Sequence, residues 1–245
     1  MRNVGVAVGM LMVLVGCAEV PTNPEDRAEF EAINDPLEPL NRGVFDVNLA
    51  LDRAVLKPVA RGYRDWVPVA MRDRVHDFIL NLTGPIVFVN DVLQGEPDRA
   101  AQTLDRFIIN STAGLLGLVD VVGRTGGPRH HEEDFGQTLA VWGVGEGPYL
   151  MLPFFGPSNP RDAVGRGVEW VADPADIALG NAFSREVLWG HLGTEMLDTR
   201  TELLDPLDEL ERSSLDFYAA VRSTYRQRRA SLIINRDRPV AELVK

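Results

Sequence analysis

Apolar residues recur every three or four positions along most of this 245-residue chain. In the clearest case Leu40, Val44, Val47, Leu51 and Val55 follow this spacing, which places them on one face of an α-helix. Similar runs begin near positions 68, 97, 160, 184 and 213, and no alternation typical of a β-strand persists. The pattern predicts an all-α fold.

Proline and glycine divide this helical pattern into segments. We expect breaks at Lys57–Pro58, at Gly84–Pro85, in the glycine-rich stretch 110–127, in the stretch 143–157 and at Asp205–Pro206. Gly95 should end one helix, and the last helix should begin near Ser213 or Ser214. The first helix is apolar over so much of its circumference that it is either buried or in contact with lipid.

The chain begins with the pattern of an exported protein. Arg2 gives a positive start, residues 4–15 are apolar or small, and Leu-Val-Gly leads into Cys17, the only cysteine. This order is typical of a signal peptide. The run resembles a lipobox, at which a bacterial lipoprotein is cleaved and its cysteine receives diacylglycerol and N-acyl lipid. We therefore expect a lipid anchor on Cys17; an ordinary secreted protein is the alternative.

The remaining sequence suggests one folded domain. Residues 1–16 are predicted to be removed, 17–33 to form a polar tether, 34–235 to form a helical domain, and 236–245 to form a tail. No mature segment has the roughly 18 uninterrupted apolar residues that a spanning helix requires. The nearest, 111–123, is interrupted by Asp120 and suits a buried, re-entrant or interfacial segment.

Charge argues against a nucleic-acid partner. Removal of the signal peptide leaves 24 basic and 36 acidic residues, a net charge of −12. Binding to nucleic-acid phosphates instead needs a basic surface, because released counterions provide much of the affinity.

Residues capable of catalysis or metal binding do not form a convincing site in the sequence. The run His130–Asp134 contains five potential ligands, but adjacent side chains diverge, so we interpret it as a solvated loop and predict no metal. The pairs Asp208/Glu211 and Glu209/Glu211 lie in an acidic segment without evidence of a cleft. Asn81 and Asn110 begin N-glycosylation patterns, but we expect them to satisfy local polar groups. We predict neither an enzyme nor a cofactor beyond the lipid on Cys17.

Several segments together resemble one family, the MlaA (VacJ) outer-membrane lipoproteins. The resemblance covers residues 34–235 and is densest at 106–114, RFIINSTAG, and 134–139, DFGQTL. Further matching segments are NDPLEPLNR at 34–42, Lys57–Pro58, LQG at 93–95, Gly147–Pro148, Leu152–Pro153 and Gly156–Pro157. The tail after Asn235 and the His130–Asp134 loop depart from the family pattern.

The resemblance implies a ring of helices embedded in the bacterial outer membrane around a central amphipathic channel. Such proteins remove misplaced phospholipids from the outer leaflet and pass them to periplasmic lipid-carrier proteins, which maintains lipid asymmetry. They associate with a trimeric porin. Ala18, rather than aspartate, follows the lipidated cysteine, which agrees with sorting to the outer membrane.

The glycine-rich stretch provides a hypothetical lipid path through this ring. Acyl tails need apolar surroundings, whereas headgroups need a wetter route, so a broken helix suits both. The residues that we expect to line or gate this path are Asn110, Gly114, Leu115, Gly117, Leu118 and Asp120. The alternative is that the glycines only permit close packing and that Asp120 is a cap or loop residue.

Two other functions remain open at this stage. A scaffold lipoprotein would dock on a porin without moving lipid, and an envelope phospholipase would need a nucleophile and a base in one cleft. The arginines near the C terminus, Arg226, Arg228 and Arg229, either contact a carrier or anionic headgroups, or form a solvated face.

Overall fold

A computed structural model describes residue 23, residues 33–171 and residues 185–234. Most of these residues are helical, which confirms the all-α class. In chain order the helices are α1 (Glu38–Leu51), α2 (Lys57–Trp66), α3 (Val69–Gln94), α4 (Pro97–Thr112), α5 (Val121–Arg124), α6 (Phe135–Val141), α7 (Pro160–Val171), α8 (Arg185–Glu202), α9 (Leu204–Ser213) and α10 (Phe217–Ile233). The predicted signal peptide, Cys17, nearly all of the tether and the tail lie outside the described residues.

The first helical segment continues past its predicted end at Lys57–Pro58. A π-helical segment, Asp52–Leu56, joins α1 directly to α2. The Lys57 N–H donates to the Asp52 carbonyl, five residues earlier, and Lys57 keeps helical angles (φ −63°, ψ −47°). Pro58 therefore lies in the first turn of α2, a position that tolerates proline because its N–H is not needed there. The predicted break was wrong.

Helix α3 also runs through a predicted break, at Gly84–Pro85. A Cβ on Gly84 would lie 3.0 Å from Cδ2 of Phe107 in α4, so the missing side chain allows α3 and α4 to pack closely. Packing along this long helix pair therefore outweighs the local preference to break. The predicted end is confirmed, because Gly95 adopts the left-handed conformation (φ 78°) beyond Gln94.

A small hairpin interrupts the otherwise helical order. Strands β1 (Leu150–Leu152) and β2 (Gly156–Ser158) pair antiparallel, with Met151 opposite Pro157. The Asn41 side chain of α1 fixes β1, since it accepts from the Met151 N–H (2.9 Å) and donates to the Tyr149 carbonyl (3.1 Å). Our expectation of no strands missed these elements, because three-residue strands are too short to show alternation.

The last two helices begin at other residues than predicted. Helix α9 begins at Leu204 and includes Asp205–Pro206 in its first turn, so the break falls just before this pair. Helix α10 begins at Phe217 rather than near Ser213 or Ser214. Its cap is Asp216, whose carboxylate accepts from the Ala219 N–H at 3.1 Å.

Contacts between the helices close into a circuit. Helix α3 contacts α6, α6 contacts α10, α10 contacts α9, α9 contacts α8, and α8 contacts α3 again. Helices α4, α7 and α2 pack against α3, α6 and α8, respectively. This closed order agrees with the ring that the resemblance implies.

The described chain buries polar groups and exposes apolar ones to an unusual degree. Twenty polar or charged residues among those described are buried, against eleven apolar residues. The largest apolar cluster is small and centres on Tyr149, Met151 and Tyr218. By contrast, Trp66 is 88% exposed and Val171 is 85% exposed. This distribution reverses that of most soluble domains. None of the described helices has the length and apolarity needed to span a membrane.

Candidate functional site

The predicted lipid path falls mainly in the loop of residues 113–120, between α4 and α5. Leu115, Leu116 and Gly117 all have left-handed backbones, with φ values of 55°, 60° and 91°. This conformation is costly for the two leucines. The N–H groups of Leu116 and Gly117 donate to the carbonyls of Ser111 and Asn110, which hold the loop against the end of α4. The predicted broken helix is therefore a compact, strained loop.

This loop has a polar base and an apolar rim. Asn110, Gly114 and Gly117 are buried, and Asp120 is half-buried beside them. The exposed side chains of the rim belong to Leu115, Leu116 and Leu118, with exposed fractions of 68%, 73% and 43%. The structure therefore brings the six predicted residues together, but it divides them between two faces.

Two glycines allow the loop to lie against its neighbours. A Cβ on Gly117 would lie 2.4 Å from the Asn81 Cβ of α3. On Gly114, a Cβ would lie 2.2 Å from the Val119 carbonyl oxygen and 2.4 Å from that of Asn110. These separations are too short for any side chain, so both positions require glycine for close packing.

Asp120 connects the loop to α4, α5 and α3. Its carboxylate accepts from Arg106 (2.9 Å), from the Asn110 side chain (2.8 Å) and from the Gly123 N–H (3.0 Å), which caps α5. Its own N–H donates to Asp77 of α3 at 3.1 Å. Although partial burial opposes ionisation, the hydrogen bonds to its carboxylate lower the pKa of Asp120. The carboxylate is therefore an ionised anchor as well as a helix cap.

A small cavity with both polar and apolar lining residues lies between α3 and α4, next to Asn110 and Asp120. Asp77, Asn81, Arg106, Asp120 and His130 are among its lining residues, and its volume is about 20 Å³. That volume suits roughly one water molecule, not an acyl chain. Burial and the nearby charge of Arg106 lower the pKa of His130 to about 4, so its ring is neutral at pH 7. Passage of a lipid through this point requires the loop to move.

The His130–Asp134 segment is not the solvated loop that we predicted. His131 and Glu133 are buried, whereas Glu132 between them is exposed. The segment is free of helical structure, so alternate side chains share one side, although immediate neighbours diverge as expected. His131 Nε2 lies 3.0 Å from Asp91 Oδ1 of α3, a residue distant in sequence. Asp91, His131 and Glu133 thus form a buried cluster that the sequence pattern missed.

Arg99 supplies the positive charge of this cluster. Its guanidinium donates to Glu133 at 2.8 Å, and its Nε lies 3.7 Å from Asp91. A guanidinium in this position repels any metal cation that approaches the same carboxylates. The cluster is therefore best described as an internal ion-pair network.

Further polar contacts join α3, α6 and α7, and the sequence analysis did not identify them. Thr138 donates to the Asn90 side chain at 2.7 Å, and Gln94 donates to Glu133 at 2.7 Å. Glu169 accepts from the Phe135 N–H at 2.6 Å. Amides at core-facing helical positions were the available signal, but their partners lie far away in sequence.

Glu169 gives a pH-dependent prediction. Burial raises the pKa of Glu169 to about 7, from an ordinary value near 4.5. The folded state then holds this proton more tightly than the unfolded chain, so the stability is present below pH 4.5 and is lost as pH rises through 7. We expect the free energy of unfolding of Glu169→Gln, relative to that of the wild type, to increase by roughly 1–2 kcal/mol as pH rises from about 5 to about 8. Denaturant unfolding in detergent at both pH values measures this gain; parallel pH profiles would contradict it.

The C-terminal arginines bind acidic groups of their own chain instead of forming a free basic face. Arg226 pairs with Glu146 at 2.9 Å, and Arg228 pairs with Glu132 at 2.6 Å. Arg229 bonds to Asp134 and lies 2.8 Å from Asp162 Oδ2. Arg229 is therefore not part of a solvated face, since its side chain is only 11% exposed, whereas Arg226 and Arg228 remain partly exposed although they are paired.

The other candidate groups also have local partners. Asp208 pairs with Lys57 (2.5 Å) and Arg61 (3.0 Å), and Glu211 pairs with Arg53, so these carboxylates are parts of ion pairs between helices. Glu209 forms an ion pair with Arg212. The Asn81 side chain donates to the Ser111 hydroxyl, and the Asn110 side chain accepts from the Val122 N–H. Asn110 therefore satisfies a backbone group, as expected, whereas Asn81 instead contacts a side chain 30 residues away.

Comparison with known proteins shows extensive similarity. A sequence model of the family described as MlaA lipoprotein matches residues 33–232. The Intermembrane phospholipid transport system lipoprotein MlaA of Escherichia coli (strain K12) is 37% identical over 238 residues, which cover 93% of this chain and 87% of that protein. The protein of the same name from Haemophilus influenzae is 30% identical over 227 residues, covering 88% and 84% of the two chains.

A solved structure is similar over nearly the whole folded region. It is described as the structural basis for maintenance of bacterial outer membrane lipid asymmetry. The TM-score is 0.70 and the sequence identity is 36%, with 81% of this chain and 98% of that chain covered. The family model, which matches residues 33–232, includes α1 and nearly all of α10, so it covers the loop and the polar network together.

Proposed function

This chain belongs to the MlaA lipoprotein family, and on that premise we propose that it transports phospholipid between the two membranes of a bacterial envelope. Relatives carry the name of a phospholipid transport lipoprotein rather than that of an enzyme, which supports a role in transport. The transported molecule is then a phospholipid that leaves the protein chemically unchanged.

In this proposal the protein lies in the outer membrane, anchored from the periplasmic side by the lipid on Cys17, with its helical body embedded. It takes mislocalised phospholipids from the outer leaflet and passes them to a periplasmic lipid-carrier protein. A trimeric porin holds it in place. The description of the solved relative, which concerns outer membrane lipid asymmetry, supports a role in maintaining that asymmetry.

The observation that carries the proposal is the placement of polar and apolar side chains. Charged residues such as Asp91, Arg106 and Asp162 are buried, while Val47, Phe154 and Trp170 are more than half exposed. In water, such exposed apolar area marks a surface that contacts another molecule or a membrane. Lipid surroundings instead favour apolar side chains outside and satisfied polar groups inside. The fold therefore suits a body in contact with acyl chains.

We assign the lipid path to the 113–120 loop and the polar residues below it. Leu115, Leu116 and Leu118 provide the apolar rim for acyl tails, and Asn110 and Asp120 provide polar groups near the headgroup. Gly114 and Gly117 permit the close approach that keeps the closed loop over the cavity. Because the cavity holds only about one water molecule, the loop acts as the gate in this proposal.

The competing functions predict different lipid changes after deletion of the gene. The proposed transporter predicts that phospholipid accumulates in the outer leaflet, measured by labelling of surface-exposed amine headgroups on intact cells, and that the complete gene reverses this change. A porin-docking scaffold predicts no accumulation. If the protein were a phospholipase, the deletion would stop the release of lysophospholipid and of fatty acid. A hydrolysis assay with purified protein measures this release directly.

Cys17 provides a separate prediction. Replacing it by serine removes the thiol that receives the lipid, so Cys17→Ser protein should lose lipid labelling and fail to complement the deletion. Metabolic labelling with a fatty acid and fractionation of membranes measure both properties. A Cys17→Ser protein that remained membrane-bound and lipid-labelled would disprove the lipoprotein assignment.

A further inference from the structure

Two clusters of histidine and carboxylate side chains include residues of α3, one near its start and one near its end. The first is the Asp91–His131–Glu133 network, in which Arg99 already provides the positive charge. The second consists of His76 on α3 with Asp198 and Glu202 on α8, and we call it the α3–α8 cluster. The first cluster contains an arginine and the second does not. Only the second therefore has room in its charge balance for a bound cation.

The α3–α8 cluster contains no described basic group other than His76 itself. His76 Nδ1 lies 2.8 Å from Asp198 Oδ2 and 3.3 Å from Glu202 Oε1. Among the side chains that the structure describes, no lysine or arginine forms an ion pair with either carboxylate. The negative charge of Asp77 also acts on His76, and that of Glu132 acts on Glu202. The cluster therefore has an uncompensated negative charge whenever His76 is neutral.

The spacing of these ligand atoms fits a small tetrahedral ion. Asp198 and Glu202 are four residues apart, so they project from one face of α8 on successive turns. Zinc bonds to imidazole nitrogen and carboxylate oxygen measure about 2.0–2.2 Å, which places tetrahedral ligand atoms about 3.4 Å apart. The observed separations of 2.8 and 3.3 Å would open by about 0.6 and 0.1 Å, and all three ligand atoms already lie within 4.8 Å of one another. We propose that His76, Asp198 and Glu202 bind one Zn²⁺ ion between α3 and α8.

A hydroxyl on α2 also lacks a partner. The Tyr63 hydroxyl oxygen is buried, and it has no hydrogen-bond partner among the described residues. Burial and the negative charge of Asp198 raise the pKa of Tyr63, whereas the positive charge of Arg72 lowers it.

Access and selectivity also favour zinc. The Glu202 side chain is 58% exposed, so an ion enters from solvent, whereas the Asp198 side chain is only 11% exposed. Calcium and magnesium prefer oxygen ligands alone, and the imidazole of His76 therefore selects against them. The three ligands are distinct from the residues of the proposed lipid path, although the adjacent Asp77 accepts from the Asp120 N–H of the 113–120 loop at 3.1 Å.

Zinc titration of the full-length protein, purified in detergent without a histidine tag, tests the site. We expect saturable binding of one Zn²⁺ per chain by calorimetry, and an intense visible spectrum of tetrahedral Co²⁺ when cobalt replaces zinc. His76→Gln and Glu202→Gln should each weaken zinc binding by at least about tenfold. The matched control is Glu209→Gln, an exposed carboxylate on α9 that should leave binding unchanged.

Two results would overturn the site: no saturable binding by the wild-type chain, or wild-type affinity in both ligand variants. Far-UV circular dichroism checks that each variant is folded. Because Glu202 is largely exposed, Glu202→Gln keeps the test decisive even if His76→Gln does not fold. Failure of zinc binding would leave phospholipid transport untouched, since the two are measured by separate assays.

Discussion

Replacing Arg229 by methionine is expected to lower the free energy of unfolding by about 3–5 kcal/mol. The Arg229 guanidinium donates to Asp134 and to Asp162, and its side chain is only 11% exposed. Asp162 is 8% exposed and also accepts from Tyr225 at 2.5 Å. Methionine keeps the length and helix propensity of the position, but it leaves Asp134 without its counterion and Asp162 with Arg161 alone. Denaturant unfolding in detergent micelles, followed by far-UV circular dichroism, measures the loss.

The neighbouring Arg228 provides a matched control. It lies on the same helix and pairs with Glu132, which is 58% exposed. Exposed ion pairs contribute little, so Arg228→Met should change the free energy of unfolding by less than about 1 kcal/mol. Equal losses for the two variants would show that the buried position of Arg229 has no special importance.

Replacing Gly117 by valine is expected to abolish lipid transport and to destabilise the protein by about 3 kcal/mol or more. The backbone at Gly117 is left-handed, and its new Cβ would lie 2.4 Å from the Asn81 Cβ. The loop must therefore leave α3, which separates its apolar rim from the polar base of Asn110 and Asp120, so the two sides of the proposed path no longer lie together. In the outer-leaflet labelling assay the variant should resemble the gene deletion.

Gly126→Val tests whether the loss of transport in Gly117→Val comes from the left-handed backbone or from the steric overlap. Gly126 is also left-handed (φ 83°), but a Cβ there meets nothing within 4 Å. It therefore carries the same kind of backbone cost without the steric overlap. We expect Gly126→Val to retain most transport. Equal loss of transport in both variants would refute a specific role for the contact between the 113–120 loop and α3.

Local sequence rules predicted the elements whose signals are local. The apolar spacing of α1, the glycine that ends α3 and the start of α7 all agree with expectation. Asn159 precedes Pro160 and accepts from the Asp162 N–H at 2.8 Å, as a helix cap does. The break after α4 was also foreseen, because glycine is frequent there and its conformations are set by near neighbours.

Predictions failed where distant contacts decide the outcome. Pro85 lies inside α3 because α4 packs along that helix, and no rule about proline contains this information. His131 and Glu133 are buried because they bond to Asp91 on α3 and to Arg99 on α4, respectively. The candidate path was predicted as one group of six residues, yet its polar and apolar members face different ways. Only the folded chain determines which side of a loop each residue takes.

The π-helical segment Asp52–Leu56 has a geometric consequence for the exposed side of the first helices. Val47, Leu51, Val55 and Val59 are each at least 38% exposed and are spaced four residues apart. In a regular α-helix, residues four apart drift by about 40° per step, so this row would wind through about 120°. A π turn holds roughly 4.4 residues and reverses most of that drift. The π-helical turn therefore keeps these four exposed side chains close to one straight line along the helices. A straight apolar row is the geometry that contact with a flat bilayer surface would require.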